Sequence, residues 1–117
     1  GQSMVLLIDT NIVLDVLLNR SEFVKDSSMV WKLCEIEQAK GYLSTLTYAN
    51  MMYVMRKQLT PDQIEEIFRK LSLIFEFAVQ SATAESVHAD YIMTRNLKDF
   101  TKSKVIAFIP TDLLARI

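Results

Sequence analysis

Asp9 and Asp99, with the polar residues around them, are the part of this sequence best suited to chemistry. Asp9 ends an apolar run in "LLIDTNIVLDVLLNR" and is followed at once by Thr10 and Asn11, while Asp99 lies far downstream in "TRNLKDF". Two carboxylates brought together repel and cost stability unless a cation lies between them. Oxygen ligands of this kind suit Mg²⁺ or Mn²⁺, which keep several waters and accept phosphate oxygens. Such an ion can activate water against a phosphodiester. The alternative is that both acids only cap helices, favoured there by the helix dipole. Residue chemistry alone leaves the two readings level.

Bringing distant acids together requires a rigid frame, and the hydrophobic pattern predicts one. Val5 to Ile8 is an unbroken aliphatic run, as in a strand buried on both faces of a parallel sheet. Asn11 is expected to cap a helix over 12–18, and a second helix over about 22–40 carries Val30, Leu33 and Cys34 and is expected to stop at Gly41. A short strand over 42–45 and a helix over 47–59 follow. In "TPDQIEEIFRKL", Thr60 caps, Pro61 takes the first helical position, Gln63 completes a capping box, and Ile64, Ile67, Phe68 and Leu71 form one apolar stripe. Beyond it the pattern predicts strands over 74–77, 91–94 and 105–109, a helix over 78–88, and a final helical turn or two over 111–117. Strands alternating with helices imply a three-layer α/β domain. In an open parallel sheet, ligands bind beyond the carboxyl ends of the strands. Asp9, Asn50 and the segment carrying Asp99 are expected to meet at that edge.

Composition narrows the remaining possibilities. At 117 residues, 50% hydrophobic and 23% charged, the chain reads as one domain with a sizeable core. No apolar run approaches the roughly 20 residues of a spanning helix, and Val5 to Ile8 is too short for a signal peptide, so the expected location is cytoplasmic without membrane contact. Gly1 to Ser3 reads as an expression remnant, leaving a single domain over 4–117. A net charge of −1 gives no general pull toward nucleic acid, so a polyanion would have to be met by a local patch or by metal ions. His88 is the only histidine and Cys34 the only cysteine, expected to be an inert core thiol, which leaves little for nucleophilic triads. With Gly1 and Gly41 the only glycines, there is no phosphate-cradling loop. Asp15, Glu22 and Asp26 read as solvated helix positions rather than residues near the site edge, Trp31 and Tyr53 as core or interface residues rather than base-stacking platforms, and the methionines as core filler.

"LLIDTNIVLDVLLNR" followed by "HADYIMTRNLKDF" resembles the PIN domain family, including the VapC-like toxins of bacterial toxin–antitoxin pairs, and the resemblance covers Met4 to Ile117. It implies a three-layer α/β/α PIN-like fold around a mostly parallel sheet of about five strands. It also implies an Mg²⁺- or Mn²⁺-dependent endoribonuclease, often a homodimer neutralised by an antitoxin protein. Carried over, Asp9 is the first metal-binding acid, with Thr10 and Asn11 shaping its turn, and Asp99 is the last. Thr94, Arg95 and Asn96 line the same edge. Arg95 either meets a substrate phosphate or is an exposed arginine without that role. The competing reading is a non-catalytic PIN-like module that binds RNA or protein. A receiver-type domain with a phospho-accepting Asp is disfavoured because it gives "TRNLKDF" no role.

The sequence departs from the family pattern twice. Asn50 stands where the family commonly has Glu, offering an oxygen without charge. The family's third acid usually precedes an Ala at a helix start, but Phe77 precedes Ala78 here, with Glu76 the nearest carboxylate. If a helix starts at Ala78, the chain must pass from an edge strand across roughly 14 Å of sheet with no loop. The expectation is therefore a segment missing between Phe77 and Ala78 that carries the third acid. An intact mass of 13.5 kDa would exclude it.

Overall fold

The structure is a computed structural model describing residues 4–78 and 84–117, apart from the side chains of 44–47. In chain order the elements are β1 (Met4–Ile8), α1 (Thr10–Leu17), α2 (Val24–Glu35), β2 (Ala39–Ser44), α3 (Thr45–Met55), α4 (Pro61–Ile74), β3 (Phe75–Ala78), β4 (Tyr91–Met93), a 3₁₀ turn (Leu97–Phe100), β5 (Ala107–Phe108) and α5 (Pro110–Leu114). The strands form one sheet in the order β3-β2-β1-β4-β5, and all four neighbouring pairs are parallel. The α/β expectation of a mostly parallel sheet of about five strands is met by a fully parallel one.

Strand alternation divides the aliphatics of β1 between two layers. Leu6 and Ile8 pack in a core with Val13, Val30, Leu43, Met51, Met55, Leu71 and Leu113 from the surrounding elements. Val5 and Leu7 face a smaller cluster around Ala84, Ala89 and Ile92, joined by Val87 and Phe100, which forms the second outer layer. The α4 boundary follows its sequence signals. Gln63 N–H donates to the Thr60 hydroxyl at 3.2 Å and Thr60 N–H to the Gln63 side chain at 2.9 Å, a reciprocal capping box with Pro61 in the first turn.

Three elements differ from expectation. Gly41 does not end α2 but lies inside β2, opposite Leu6 and Phe75. The helix instead ends at Glu35, and Glu37 takes the left-handed φ of 62° there. Gly41 is needed for close packing, since a Cβ there would lie 2.6 Å from Phe75 Cδ1 and 2.9 Å from Ile8 Cδ1. Gly41→Ala is therefore expected to cost about 1–3 kcal/mol through overpacking, read as a lower urea midpoint at unchanged m-value.

The second difference is at 78–88. Ala78 closes β3, paired to Ser44, and residues 84–88 are turns rather than helix, while the rest of that expected helix lies outside the described residues. The third is the α1 cap, taken by Asp9 rather than Asn11.

Cys34 is buried and unpaired, and burial, with Glu35 nearby, pushes its thiol up to about 12, so it stays protonated at neutral pH. Met51, Met55 and Met93 are fully buried, though Met29 is exposed. Trp31 meets Phe75 edge-on at 5.2 Å, whereas Tyr53 is exposed, with Lys57 4.4 Å over its ring. His88 is exposed at a left-handed φ of 56° in a surface turn. Among the described residues, no helix is long and apolar enough to cross a membrane.

Candidate metal centre at the sheet's carboxyl edge

The strand order reverses between β1 and β4, so the chain leaves these neighbouring strands in opposite directions. A crevice beyond their carboxyl ends is where open parallel sheets bind ligands. The register supplies the first contact there. Leu7 pairs with Ile92 and Ile8 with Met93, and one residue further along Asp9 stands beside Thr94.

Asp9 N–H donates to the Met93 carbonyl at 2.9 Å, closing the ladder. Its carboxylate accepts from Thr10 N–H at 2.7 Å, the Thr94 hydroxyl at 2.8 Å and the Asn11 amide at 3.4 Å. Asp9 is thus a helix cap, as the plainer reading had it, but it is also tied to a second strand far along the chain.

Asp99 joins through two intermediates. Asn96 N–H donates to the Thr94 hydroxyl at 2.9 Å, and the Asn96 side-chain amide donates to Asp99 at 2.8 Å. The chain Asp9, Thr94, Asn96, Asp99 therefore crosses the edge without a gap. Thr94 is buried, while Asn96 and Asp99 are exposed on the 3₁₀ turn and its approach.

Asn50 does not join this set. It is exposed on α3, whose start follows β2 at the same edge, and among the described residues no hydrogen bond links it to Asp9 or Asp99.

Arg95 and Asp15 correct the sequence reading. Asp15 is not solvated but fully buried, and Arg95 grips both its oxygens, Nε at 2.8 Å and Nη2 at 2.9 Å. The Ser27 hydroxyl donates to the same carboxylate at 3.0 Å, and Arg20 approaches at 3.4 Å. The Arg95 guanidinium also lies 3.9 Å over the Phe23 ring. It is therefore committed to the protein rather than presented to a phosphate. The Arg95 backbone N–H donates to Asn11 Oδ1 at 3.3 Å. Asn11 and Asp15, one helical turn apart on α1, thus hold the start of the 94–99 segment against the Asp9 turn. One sequence signal could have revealed Asp15: it sits between Ile12 to Leu14 and Val16 to Leu18, which leaves no polar face for it. Glu22 is exposed as expected, and Asp26 is half-buried and accepts from the Thr111 hydroxyl at 2.6 Å.

The donor set is consistent with a hard cation. Among the described residues, no three of His, Cys, Asp and Glu converge, but Mg²⁺ and Mn²⁺ are commonly held by one or two carboxylates and their own waters. An ionised carboxylate has about four lone-pair positions. Asp9 fills three with Thr10, Asn11 and Thr94, and keeps one. Asp99 accepts from the Asn96 side chain and is open to solvent.

The chain matches the family model described as PIN domain over residues 5–108. No curated protein and no solved structure matches it. PIN domains are generally nucleases acting on RNA and typically use divalent metals. With nearly the whole described sheet inside the match, the chain belongs to the PIN domain family.

Proposed function

We propose that this PIN domain is a divalent-metal-dependent endoribonuclease with Asp9 and Asp99 as its metal-binding, catalytic acids. The observation that carries the reading is the hydrogen-bonded chain from Asp9 through Thr94 and Asn96 to Asp99, at the strand-order reversal. Asp9 and Asp99 would hold Mg²⁺ or Mn²⁺. When bound, the ion would supply charge against the phosphate and a more acidic water. Thr94 and Asn96 fix the directions of the two carboxylates, and Thr10 and Asn11 hold Asp9 at the end of β1.

Charge around Asp99 supports an RNA substrate. Lys98, Lys102 and Lys104 lie within seven residues of a chain whose net charge is −1. The three lysines are exposed and make no ion pair among the described residues. Local cations of this kind attract a phosphate backbone even where the whole protein does not.

Within this proposal, the resemblance to VapC-like proteins supports a toxin role, with a homodimer silenced by an antitoxin protein. The neutral Asn50, and the absence among the described residues of any group of three His, Cys, Asp or Glu that could hold a metal, favour the second reading, a module that binds RNA or protein without cutting it. Incubating single-stranded RNA with the protein in Mn²⁺, in Mg²⁺ and with chelator separates them. Cleavage that needs metal is expected, whereas binding without cleavage on any substrate would favour the second reading.

A further inference from the structure

A cavity of about 430 Å³ opens beside this site, between the start of α2 and the turn from β5 into α5. Phe23, Ile109 and Pro110 supply apolar walls, and Asp26, Thr111 and Arg95 polar ones. Arg95 is shared with the metal centre: its backbone N–H is bonded to Asn11, whose amide reaches Asp9. The cavity thus lies one arginine side chain from the Asp9 turn, within reach of a nucleotide next to a phosphate bound there.

The walls suit a base rather than a phosphate. Arg95, the only cation lining the cavity among the described residues, is already taken by both oxygens of Asp15. The carboxylates of Glu22 and Asp26 would repel a phosphate. Apolar walls with one oriented acceptor are the usual make-up of a site for a flat organic group, and aromatic surface holds nucleobases well. Asp26 is that oriented acceptor: it lines the cavity, and Thr111 donates to its Oδ2 at 2.6 Å, which leaves Oδ1 and a second lone pair on Oδ2 for a pair of donors.

A carboxylate only accepts hydrogen bonds, so it selects the base edge richest in donors. Guanine alone offers two adjacent donors, N1–H and its 2-amino group. Adenine and cytosine place one amino group beside an acceptor, and uracil places one N–H between two carbonyls. We propose that this cavity is a guanine-binding subsite in which Asp26 reads the base edge and Phe23 and Pro110 hold the base. The proposal rests on the ribonuclease reading above.

Sequencing the cleavage products of randomised single-stranded RNA tests it, beside NMR titration of guanosine and uridine 5′-monophosphates. The wild type should cut at a fixed distance from guanine, and Asp26→Asn should lower that preference roughly tenfold. The guanosine nucleotide should shift Phe23 and Ile109 signals in the wild type much more than in Asp26→Asn, and the uridine nucleotide should leave them in place. Cleavage blind to guanine, or a guanine preference that Asp26→Asn leaves intact, overturns the subsite while the ribonuclease reading stands. If no RNA is cut, the ribonuclease reading falls, and the subsite then stands or falls on whether the guanosine nucleotide shifts those signals.

Discussion

Asp9→Asn is expected to lower metal-dependent RNA cleavage by roughly 10²-fold or more, because metal-ion charge stabilisation is worth several kcal/mol and each 1.36 kcal/mol is tenfold in rate. The same substitution should barely change stability. Asn is as good a helix cap as Asp, and its side-chain oxygen can keep the bond from Thr10 N–H that Asp9 now accepts at 2.7 Å. The Thr94 hydroxyl, which donates to Asp9 at 2.8 Å, can turn to accept from the new amide, and only the long bond from the Asn11 amide at 3.4 Å is lost. Charge is lost while shape is kept, so activity and fold separate cleanly. A melting temperature within a few degrees of wild type, measured beside the cleavage rate, shows that the loss is chemical. A variant that cuts at the wild-type rate would remove Asp9 from the mechanism.

Arg95→Met should produce the largest loss of stability, about 3 kcal/mol. Asp15 is fully buried and would keep only Ser27 at 3.0 Å and Arg20 at 3.4 Å. Removing one partner of a buried ion pair costs about 3–5 kcal/mol. The lower end applies because the Arg95 side chain is 24% exposed and Arg20 remains. Stacking over the Phe23 ring at 3.9 Å is lost as well. Domains of this kind unfold with only 5–15 kcal/mol, so the change should lower the melting temperature by about 10–15 °C. Adding Asp15→Leu should restore part of the loss, since a buried pair replaced by apolar residues often costs little. If Arg95→Met melts with the wild type, the pair does not hold the 94–99 segment.

The residues that could be read from sequence were those whose local pattern has one physical meaning. The four aliphatics of Val5 to Ile8 read as a strand with apolar layers on both faces, and Thr60, Pro61 and Gln63 fix a helix start atom by atom. That Asp9 and the segment carrying Asp99 share one edge was legible because each follows a strand that points there. What failed had two local meanings. Gly41 ends many helices, but here its missing Cβ matters for Phe75 and Ile8, contacts set by tertiary packing. A helical acid such as Asp15 is normally solvated, and its burial depends on Arg95, eighty residues away. Residues 84–88 have helix-compatible composition, yet they form turns over Val5 and Leu7, where the sheet sets the path.

The central claim is that Asp9 and Asp99 hold one divalent cation between them, and Mn²⁺ reports on that without any need for turnover. In amide NMR spectra, substoichiometric Mn²⁺ should broaden the signals of Asp9 to Asn11 and of Thr94 to Asp99 first. The broadening should be lost when Asp9→Asn and Asp99→Asn are combined. Spectra that Mn²⁺ leaves sharp at this edge, or broadens equally in the double variant, would contradict the account.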